Sequence, residues 1–403
     1  MSRDRLKPSV TGLPTAGAML RLIRDGGAVT RSELTQLSGL SRSTVAQRID
    51  ALVASGLIRE KAEGSSTGGR PPTILEFNHS AGVILAADLG ATHSRVAATD
   101  LAGIMLAETR HDIDVTRGPV EVLDWLEKTF LDLLKEAGHS RAAVRGIGIG
   151  VPGPVEYATG RPVSPPIMPG WDGFPMPERF ESFDVPVLVD NDVNIMALGE
   201  HWSRWRDCDH LIFVKVGTGI GCGIVTSREI HRGAQGAAGD LGHIRATDDE
   251  NVVCTCGNLG CLEAVAGGGA LARRLTEMGV PATNSRDVVG LVRAGQPQAV
   301  QLVRQAGRLL GEVLAAATNL LNPSVIVIGG DVAHAHEQLF AGVRETVYQR
   351  SLPLATRHLR IVRSDLDDRA GIIGAAVMAI EHVFSPEAVD AAIAVRSAEK
   401  SSA

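Results

Sequence analysis

The sequence predicts a mixed α/β protein in which a small helical head precedes a much larger α/β body. Two short helical patterns with a glycine between them lie near the N-terminus, within residues 30–54. From residue 80 onward, apolar strands that end in glycine-rich turns alternate with helical segments. The chain of 403 residues is also longer than one ordinary domain. We therefore place a head at residues 1–78, a body at residues 80–385 and a flexible tail at residues 386–403.

Composition excludes several classes of protein for this chain. Hydrophobic residues make up 44% and charged residues 21%, which is typical of a folded globular protein. No run of 18 or more apolar residues occurs, so we expect no membrane span. The first residues, MSRDRLKPSV, lack the apolar segment of a secretion signal, and a cytoplasmic location is therefore expected. Structural disulfides are uncommon in that compartment.

Charge is unevenly divided between head and body. Residues 1–80 carry 11 Lys and Arg against 7 Asp and Glu, whereas the whole chain has a formal net charge of −6. A positive head on a negative body indicates that any polyanion would bind to the head.

The head contains the pattern of two helices joined by a tight turn. In RSELTQLSGLSRSTVAQRID, Ser32 is expected to cap the first helix, Gly39 to end it and Ser41 to cap the second. The upstream segment AGAMLRLIRDGG would add a third helix to the core. In the second helix, apolar side chains recur at i, i+4, i+7 and i+8, which predicts one buried stripe. The members of this stripe are Val45, Ile49, Leu52 and Val53.

The opposite face of the second helix carries groups that can contact DNA. Hydroxyls, an amide and guanidiniums can reach base edges and phosphates. The residues are Arg42, Ser43, Thr44, Gln47 and Arg48. Helix-turn-helix modules present their second helix to the major groove, so we expect DNA binding at this face. The alternatives are a protein-interaction module and a merely solvated polar face.

A β-hairpin is predicted directly after these helices. One strand begins at Leu57 and Ile58, and the return strand covers residues 73–77. The tip is rich in Gly, Ser and Thr and ends in GGRPP, where Arg70 lies between glycine and proline. An arginine in such a slim, extended segment can enter a minor groove. The head is therefore predicted to be a winged helix-turn-helix with Arg70 at the wing.

The body begins with a strand that ends in a glycine turn, in AGVILAADLGATHSR. A second strand follows at once, so the element is a β-hairpin, which disfavours a strand-to-helix phosphate loop. A similar hairpin recurs at HLIFVKVGTGIGCGIVT, and a third strand ends in Gly329-Gly330. Each turn alone is explained by hairpin geometry. Three such turns at strand ends predict a nucleotide cleft between two similar lobes, because their backbone NH groups can bind phosphate.

A polar triplet, Asp190-Asn191-Asp192, lies where an apolar strand meets the start of a helix near Val193. One interpretation makes Asp190 or Asn191 a helix cap and nothing more. The functional alternative makes Asp192 a base for a hydroxyl group and Asn191 a hydrogen-bond partner of a polyol.

Three of the five cysteines lie within eight residues, in the segment CTCGNLGC. His243 lies eleven residues before Cys254, so the pattern with Cys256 and Cys261 is H-x10-C-x-C-x4-C. One imidazole and three thiolates form the closed tetrahedral set that structural zinc prefers. A disulfide is disfavoured by the short separation of Cys254 and Cys256 and by the expected compartment. Three free buried thiols would leave the spacing to coincidence, so the sequence predicts a zinc site.

Together these motifs resemble the ROK family of repressors and sugar kinases, over nearly the whole chain. GAAGDLGH followed by CTCGNLGCLE is similar to the family signature, and DLGATHSR, GIGIGVPGPV, VDNDVN and GTGIGCGI occur in the expected order. The resemblance implies an actin-like, ribonuclease-H-like body with two α/β lobes and a cleft. Lobe one would cover about 80–189 plus a C-terminal helix near 369–384, and lobe two about 190–368.

The resemblance also implies which residues line the cleft. The sugar would contact Asn191, Asp192, Asp240, His243 and Glu263, with His243 binding zinc through its other ring nitrogen. In a kinase, Asp192 would be the catalytic base, and ATP with Mg²⁺ would lie against Asp88, Gly90, Thr92, Thr218, Gly219 and Gly330. The sequence departs from the kinase pattern at Ala91, Pro166 and Asp240, where kinases often have Gly, Asn and Glu.

Family members with a winged head are typically transcriptional regulators that respond to a sugar, and those without it are sugar kinases. We therefore expect a sugar-responsive DNA-binding regulator, most simply a repressor. Its partners would be operator DNA, a sugar or sugar derivative, and a second copy of the chain in a homodimer or higher oligomer. The alternative is an ATP-dependent kinase of a hexose or amino sugar with a fused DNA-binding head. A scaffold with a vestigial cleft is a third possibility.

Overall fold

The computed structural model describes residues 15–62, 73–91, 93–335 and 337–402, with side chains as far as residue 395. Within these residues the chain has the mixed α/β architecture that the sequence predicts. The helices are α1 (Ala16–Arg24), α2 (Arg31–Ser38), α3 (Arg42–Ala54), α4 (Pro119–Glu136), α5 (Asp192–Arg204), α6 (Leu262–Ala266), α7 (Gly268–Glu277), α8 (Ser285–Arg293), α9 (Pro297–Leu321), α10 (Glu337–Arg350), α11 (Pro353–Thr356), α12 (Ala370–Val383) and α13 (Pro386–Ser402). The strands are β1 (Ile58–Ala62), β2 (Thr73–Phe77), β3 (Val83–Leu89), β4 (Ser94–Thr99), β5 (Met105–His111), β6 (Val144–Val151), β7 (Val155–Glu156), β8 (Arg161–Pro162), β9 (Val187–Asn191), β10 (His210–Val216), β11 (Ile220–Thr226), β12 (Glu229–Ile230), β13 (Val325–Gly329) and β14 (Arg360–Arg363).

The helices of the head begin at hydroxyl caps. Thr15 accepts a hydrogen bond from the amide of Ala18 at the start of α1. At the start of α2, Thr30 Oγ1 accepts from the amide of Glu33, and the Glu33 carboxylate accepts from the amide of Thr30. Ser32, which we expected to be this cap, lies inside α2. That prediction was wrong because Thr30 has the same capping chemistry and is the residue with a glutamate three positions later.

The turn between α2 and α3 forms as predicted. Gly39 ends α2 at a φ of +68°, and Ser41 caps α3. The buried members of the predicted stripe on α3 are Val45, Ile49 and Leu52. Val53 is 36% exposed, because eight residues place it about 80° around the helix from Val45.

The wing strands β1 and β2 pair antiparallel, from Ile58 opposite Phe77 to Ala62 opposite Thr73. The prediction of a hairpin after the helices is therefore confirmed. The wing tip with Arg70 lies outside the described residues.

The body contains two five-stranded sheets with the same topology. The first has the strand order β5-β4-β3-β6-β9 and the second the order β12-β11-β10-β13-β14. In each sheet the central strand forms an antiparallel hairpin on one side and pairs with a parallel strand on the other. A second parallel strand then pairs with the first and forms the edge of the sheet. We call the regions around these sheets the first lobe and the second lobe.

Helices α5 and α12 lie between the two sheets. α12 packs on β3 and β6 of the first lobe, and α5 packs on β10 and β11 of the second. The two helices touch at their backbones, since a Cβ on Gly374 would overlap with the carbonyl of Ile195, and one on Gly199 with the carbonyl of Ala370. Because no side chain separates them there, we expect the two helices to move together.

The head packs directly on the C-terminal helices of the body. The amide of Gly17 in α1 donates to Asp390 Oδ1 in α13 at 2.9 Å, and Arg24 forms an ion pair with Glu381 of α12 at 2.9 Å. One hydrophobic cluster runs from the head into the body without interruption. Its members include Met19, Leu20, Ile23, Ile84, Ile380, Phe384 and Val389.

The C-terminal segment is helical, whereas we expected a flexible tail. α13 begins at Pro386, and Val389 is buried against the head. The expectation was wrong because α1 and α12 supply the apolar surface on which this helix packs, and a local reading of the sequence does not contain that surface.

No single helix among the described residues has the length and apolar character needed to cross a membrane. The segments 367–383 and 386–395 meet the length and composition criteria only when taken together as a pair bent by 55°.

Candidate metal centre and interlobe cleft

The predicted zinc ligands lie in a compact loop of the second lobe. Isolated bridges pair Val253 with Leu259 and Arg245 with Cys261, so the chain folds back on itself. The amide of Cys254 donates to the carbonyl of Asn258 at 2.9 Å. The reversal passes through Gly257 at a φ of +87°, a conformation that glycine adopts without strain.

The four predicted ligands have the spacing of a tetrahedral zinc site. Ligand atoms of His243, Cys254, Cys256 and Cys261 all lie within 4.8 Å of one another. Cys256 Sγ lies 3.7 Å from Cys261 Sγ, and Cys254 Sγ lies 3.5 Å from His243 Nδ1. Zinc with bonds of about 2.3 Å to sulfur and 2.0 Å to nitrogen would separate its ligand atoms by about 3.8 Å and 3.5 Å respectively. These residues therefore fit a structural zinc ion.

The thiols of this cluster are arranged so that a cation is needed for all of them to ionise. Burial, together with the neighbouring thiols of Cys254 and Cys256, raises the pKa of Cys261 to about 12. A hydrogen bond from the backbone of Asn258 lowers the pKa of Cys256. A bound metal ion would supply the positive charge that holds three thiolates at this separation.

His243 connects the metal centre to the cleft. Its Nδ1 faces Cys254, whereas its Nε2 lies 3.9 Å from Asp240 Oδ1. With a metal on Nδ1, the ring carries its proton on Nε2 and can donate a hydrogen bond there. Asp240 is exposed and can accept from a ligand hydroxyl. Nδ1 is thus available for zinc and Nε2 for a sugar hydroxyl, the two roles that we predicted for His243.

Glu263 reaches from the start of α6 under the second glycine turn. Its Oε2 accepts a hydrogen bond from the amide of Ile220 at 2.9 Å. A Cβ on Gly219 would overlap with the same carboxylate, so glycine is required for Glu263 to fit. We predicted that Gly219 lines a phosphate. Its lack of a side chain makes room for Glu263, which we predicted to contact the sugar.

Asn191 caps α5. Its Oδ1 accepts from the amide of Val193 at 2.9 Å, and its Nδ2 donates to the carbonyl of Gly153 at 3.0 Å. The helix-cap interpretation is therefore correct for Asn191, and one amide hydrogen is left for a polyol.

Asp190 ties the two lobes together. Its Oδ1 accepts from Asn194 Nδ2 at 2.8 Å, and its Oδ2 accepts from Arg232 Nε at 2.8 Å. The guanidinium of Arg232 also stacks on the ring of Tyr157, 3.6 Å from its centroid. Sequence reasoning missed Arg232, because nothing in the local pattern indicates which buried carboxylate it would meet.

Asp192, the first residue of α5, forms an ion pair that the sequence did not reveal. Lys215 Nζ in β10 lies 2.6 Å from Asp192 Oδ2. Asp192 is almost fully buried, and Lys215 is partly buried. The one local signal was a lysine inside the otherwise apolar strand HLIFVKV. Only the tertiary structure shows that this lysine meets Asp192.

Asp88 lies close to this pair at the end of β3. The pKa of Asp88 is raised to about 7, because burial and the negative charge of Asp192 outweigh the opposing charges of Lys215 and Arg95. The carboxylate of Asp88 lies against Gly371 at the start of α12, where a Cβ would overlap with it.

The first glycine turn reaches across the cleft. The amide of Gly90 donates to the carbonyl of His93 at 3.0 Å, which closes the turn. His93 Nε2 lies 2.9 Å from Arg286 Nη2 of α8, in the second lobe. Arg286 Nε lies 3.7 Å from Asp331 Oδ1. Thr92, a predicted nucleotide contact, lies outside the described residues.

The second glycine turn is fastened to a helix. The carbonyls of Gly217 and Thr218 accept from the amides of Gly268 and Gly269, at 2.8 and 3.0 Å, at the start of α7. The third turn passes through Gly330 at a φ of +85°, where a Cβ would crowd the backbone of Val216. Among the predicted nucleotide contacts, Thr218 is exposed at the cleft.

The predicted DNA-binding face of α3 lies at the surface of the head. Arg42, Ser43 and Gln47 are exposed, and Thr44 and Arg48 are partly exposed. Ser41 Oγ lies within 2.9 Å of the hydroxyls of Ser43 and Thr44, which places these groups at the N-terminus of the helix. The guanidinium atom Nη1 of Arg48 is buried with no hydrogen-bond partner among the described residues.

Known proteins resemble the chain over nearly its full length. The ROK family profile matches residues 84–382, and a winged helix-turn-helix DNA-binding profile matches residues 14–59. The xylose repressor of Caldicellulosiruptor bescii is 31% identical over 385 residues, which cover 91% of this chain and 95% of that protein.

Two solved structures share the fold. A ROK family transcriptional regulator, described as a homologue of the E. coli MLC protein, superposes with a TM-score of 0.81 and 27% identity, covering 94% of this chain and 98% of its own. The ROK hexokinase from Thermus thermophilus superposes with a TM-score of 0.63 and 31% identity, covering 75% of this chain and 99% of its own. The hexokinase covers the body alone, whereas the regulator covers head and body. Because the family profile matches most of the chain and the winged helix-turn-helix profile matches its head, the chain belongs to the ROK family and carries an N-terminal winged helix-turn-helix.

Proposed function

We propose that this protein is a DNA-binding transcriptional repressor controlled by a sugar bound in the cleft between its lobes. The observation that carries the proposal is continuous packing from the cleft to the head. α5 begins at Asp192 in the cleft and packs on α12. α13 packs on α1 of the head, and α12 is joined to α1 by the Arg24–Glu381 ion pair and by the shared hydrophobic cluster. A sugar that binds one position of α5 more tightly than another would therefore shift the position of the head.

The sugar site would be built for hydroxyl groups. Asp192, Asp240 and Glu263 offer carboxylate acceptors, while Asn191 and His243 offer hydrogen-bond donors. Zinc held by His243, Cys254, Cys256 and Cys261 would be structural, and it would fix the His243 ring relative to the loop that carries Glu263. Because the chain is similar to a xylose repressor, D-xylose is the first candidate effector, with hexoses and amino sugars as alternatives.

The path from cleft to head is stiff at each step. Glycines at positions 199 and 374 bring the backbones of α5 and α12 together, so a shift of α5 cannot be absorbed by side chains. At the far end, the ring of Phe384 packs edge-on against Phe77 of the wing strand β2, with centroids 5.3 Å apart. Arg24 and Glu381 add an ion pair between α1 and α12.

DNA would be bound by the exposed face of α3 in a major groove and by the wing in the adjacent minor groove. A monomeric head of this size buries little surface on DNA, so we also propose that two copies bind two half-sites about one helical turn apart. The two heads would change their spacing when the cleft binds its sugar.

Fluorescence anisotropy with the full-length protein and the DNA upstream of its own gene tests this proposal. We expect specific binding that weakens at least about tenfold at saturating effector, with a reciprocal loss of sugar affinity on DNA. Asp192→Asn is expected to keep DNA binding and lose the sugar effect. The proposal is wrong if no pentose, hexose, amino sugar or sugar phosphate changes either the DNA affinity or the melting temperature.

A second candidate function is an ATP-dependent sugar kinase. It is favoured by the position of Asp192 at a strand-to-helix junction beside three glycine turns, and by the likeness to a ROK hexokinase. Asp192 would take the proton from a sugar hydroxyl as that oxygen attacks the γ-phosphate, with Mg²⁺ near Asp88. ADP release with Mg²⁺-ATP and D-glucose, D-xylose or N-acetylglucosamine is the test. Release no faster than that of Asp192→Asn excludes the kinase.

A further inference from the structure

We propose that the ammonium group of Lys215 takes, inside the cleft, the place that a divalent cation needs for phosphate transfer. The cleft would then bind an uncharged sugar without a metal-bound nucleotide. The inference deepens the proposed function and rests on it for the identity of the site, but the lysine's role can be tested without any sugar.

Lys215 occupies the same place in the second lobe as Asp88 does in the first. Each is the next-to-last residue of the central strand of its sheet, β10 and β3. Each is followed by one apolar residue and then by the glycine that opens the turn. The common topology of the sheets therefore brings an acidic residue, Asp88, and a basic residue, Lys215, to equivalent strand ends on the two sides of the cleft.

Two carboxylates approach each other at this place. Asp88 pairs with Gly150 in the neighbouring strand β6. A Cβ on Gly150 would overlap with the side chain of Ile195 in the first turn of α5 and would lie 3.7 Å from the Cα of Asp192. The missing side chain therefore lets the start of α5, with Asp192, lie against the strand next to β3. Carboxylates this near in a partly buried site can both ionise only beside a positive charge.

Lys215 supplies that charge from the opposite lobe. Its Nζ donates to Asp192 Oδ2 at 2.6 Å. Burial lowers the pKa of Lys215, but the charges of Asp192, Asp88 and Asp331 outweigh this and raise the pKa overall, so the ammonium stays protonated. The acidic groups that raise its pKa come from β3, α5 and the segment after β13.

The chemical consequence is a change in what Asp192 can do. A carboxylate oxygen that already accepts from an ammonium is a weaker base, because removing its negative charge disrupts the ion pair. The other oxygen, Oδ1, can still accept a hydrogen bond from a sugar hydroxyl. A lysine ammonium has three hydrogen-bond donors but no coordination positions, so it cannot hold two phosphate oxygens and water in the octahedral arrangement that Mg²⁺ imposes. Asp192 is thereby a binding group, and Lys215 is the residue that positions it.

A cross-cleft contact supports the same conclusion. Arg286 of α8 lies 2.9 Å from His93 and 3.7 Å from Asp331, so the first glycine turn is already bridged to the second lobe. The positive groups of Lys215 and Arg286 thus face this end of the cleft from the second lobe.

The test is to remove the lysine and look for the metal site that it blocks. Zinc-loaded, full-length protein is titrated with Mn²⁺, and binding is followed by electron paramagnetic resonance and by melting temperature. Mn²⁺ binding to the cleft of wild type is expected not to saturate over the titrated range. Lys215→Ala is expected to gain one saturable site, with an affinity at least about tenfold above that of any binding to wild type. Mn²⁺ is expected to raise the melting temperature of the variant and not that of wild type.

Two matched variants make the result specific. Lys215→Arg keeps the positive charge and is expected to behave as wild type, and Lys215→Ala combined with Asp192→Asn is expected to lose the gained site. The proposal is overturned if Lys215→Ala binds Mn²⁺ no better than wild type, or if the site survives the loss of Asp192. If Lys215→Ala does not fold, Lys215→Met preserves the length of the side chain and is judged by the same criteria. A failure of every sugar to act on wild type would refute the proposed function and leave this measurement standing.

Discussion

The two lobes have the same five-stranded topology, yet they are specialised in different ways. The first lobe carries Asp88 at the end of its central strand and, through α12, the contacts to the head. The second carries Lys215 at the equivalent strand end and the His/Cys cluster on its outer loop. In the proposed repressor, the same sheet design would therefore serve signal output in one lobe and ligand binding in the other, because the strand ends and loops carry the chemistry.

The largest expected effect is a loss of stability when the contact between α5 and α12, the helices between the two lobes, is disrupted. Gly374→Ala puts a methyl group onto the carbonyl of Ile195, so we expect a loss of at least about 3 kcal/mol in the free energy of unfolding. Denaturant titration followed by circular dichroism measures it. A matched control is Gly290→Ala in α8, which meets nothing within 4 Å and is expected to stabilise the protein by about 0.5–1 kcal/mol. Equal effects of the two substitutions would show that the helices are not in close contact.

Loss of the metal centre should affect the second lobe alone. Cys261→Ser removes a buried ligand, so we expect loss of the zinc measured by mass spectrometry and a fall in sugar affinity, since His243 is no longer fixed. DNA binding in the absence of sugar should be retained, because the head is held to the body through α12 and α13. Ser227→Ala, on the surface of the same lobe, is the control. Simultaneous loss of DNA binding would mean that zinc holds the whole fold.

Loosening the head should uncouple DNA binding from the sugar. Gly17→Ala directs a methyl group into the backbone of Pro386, so α1 must move away from α13. We expect DNA affinity to stay within a few-fold of wild type while the effector loses most of its influence on it. Arg21→Ala on the exposed side of α1 is the control. An unchanged effector response in Gly17→Ala would place the coupling elsewhere.

The smallest expected effect concerns the charge of Asp88. Its pKa is raised from 3.8 in the unfolded chain to about 7 in the folded protein. Between pH 3.8 and pH 7, the folded state therefore keeps a proton on Asp88 that the unfolded state has released. Stability from this group is therefore fully present below pH 3.8 and is lost progressively as the pH rises to about 7. Asp88→Asn should raise the melting temperature by a few degrees at pH 8 and by clearly less at pH 5. Asp132→Asn on the exposed side of α4 should give equal shifts at both pH values, and a pH-independent shift in Asp88→Asn would contradict the prediction.

Local chemistry explains which features the sequence could predict. The His/Cys spacing, the α2–α3 turn at Gly39 and the wing strands each depend on residues within a few positions of one another. Ser32 was misjudged as a cap because two hydroxyl residues compete within one turn, and the glutamate that completes the capping box decides between them.

Contacts between distant residues explain what the sequence could not predict. Lys215 meets Asp192 across the cleft, Arg232 meets Asp190 and Arg286 meets His93, and each pair joins residues that no periodicity relates. The same reason accounts for α13, which is helical because the head supplies its packing surface.

By itself, the sequence determined the local elements of this protein: capped helices, glycine turns, the four ligands of a metal site and a polar face on α3. These depend on backbone conformation and short spacing, which neighbouring side chains specify. Only the tertiary structure decided how the elements act on one another. It placed Lys215 beside Asp192 and joined the cleft to the head through α5 and α12, because charge pairing and close packing depend on where the folded chain brings its distant parts together.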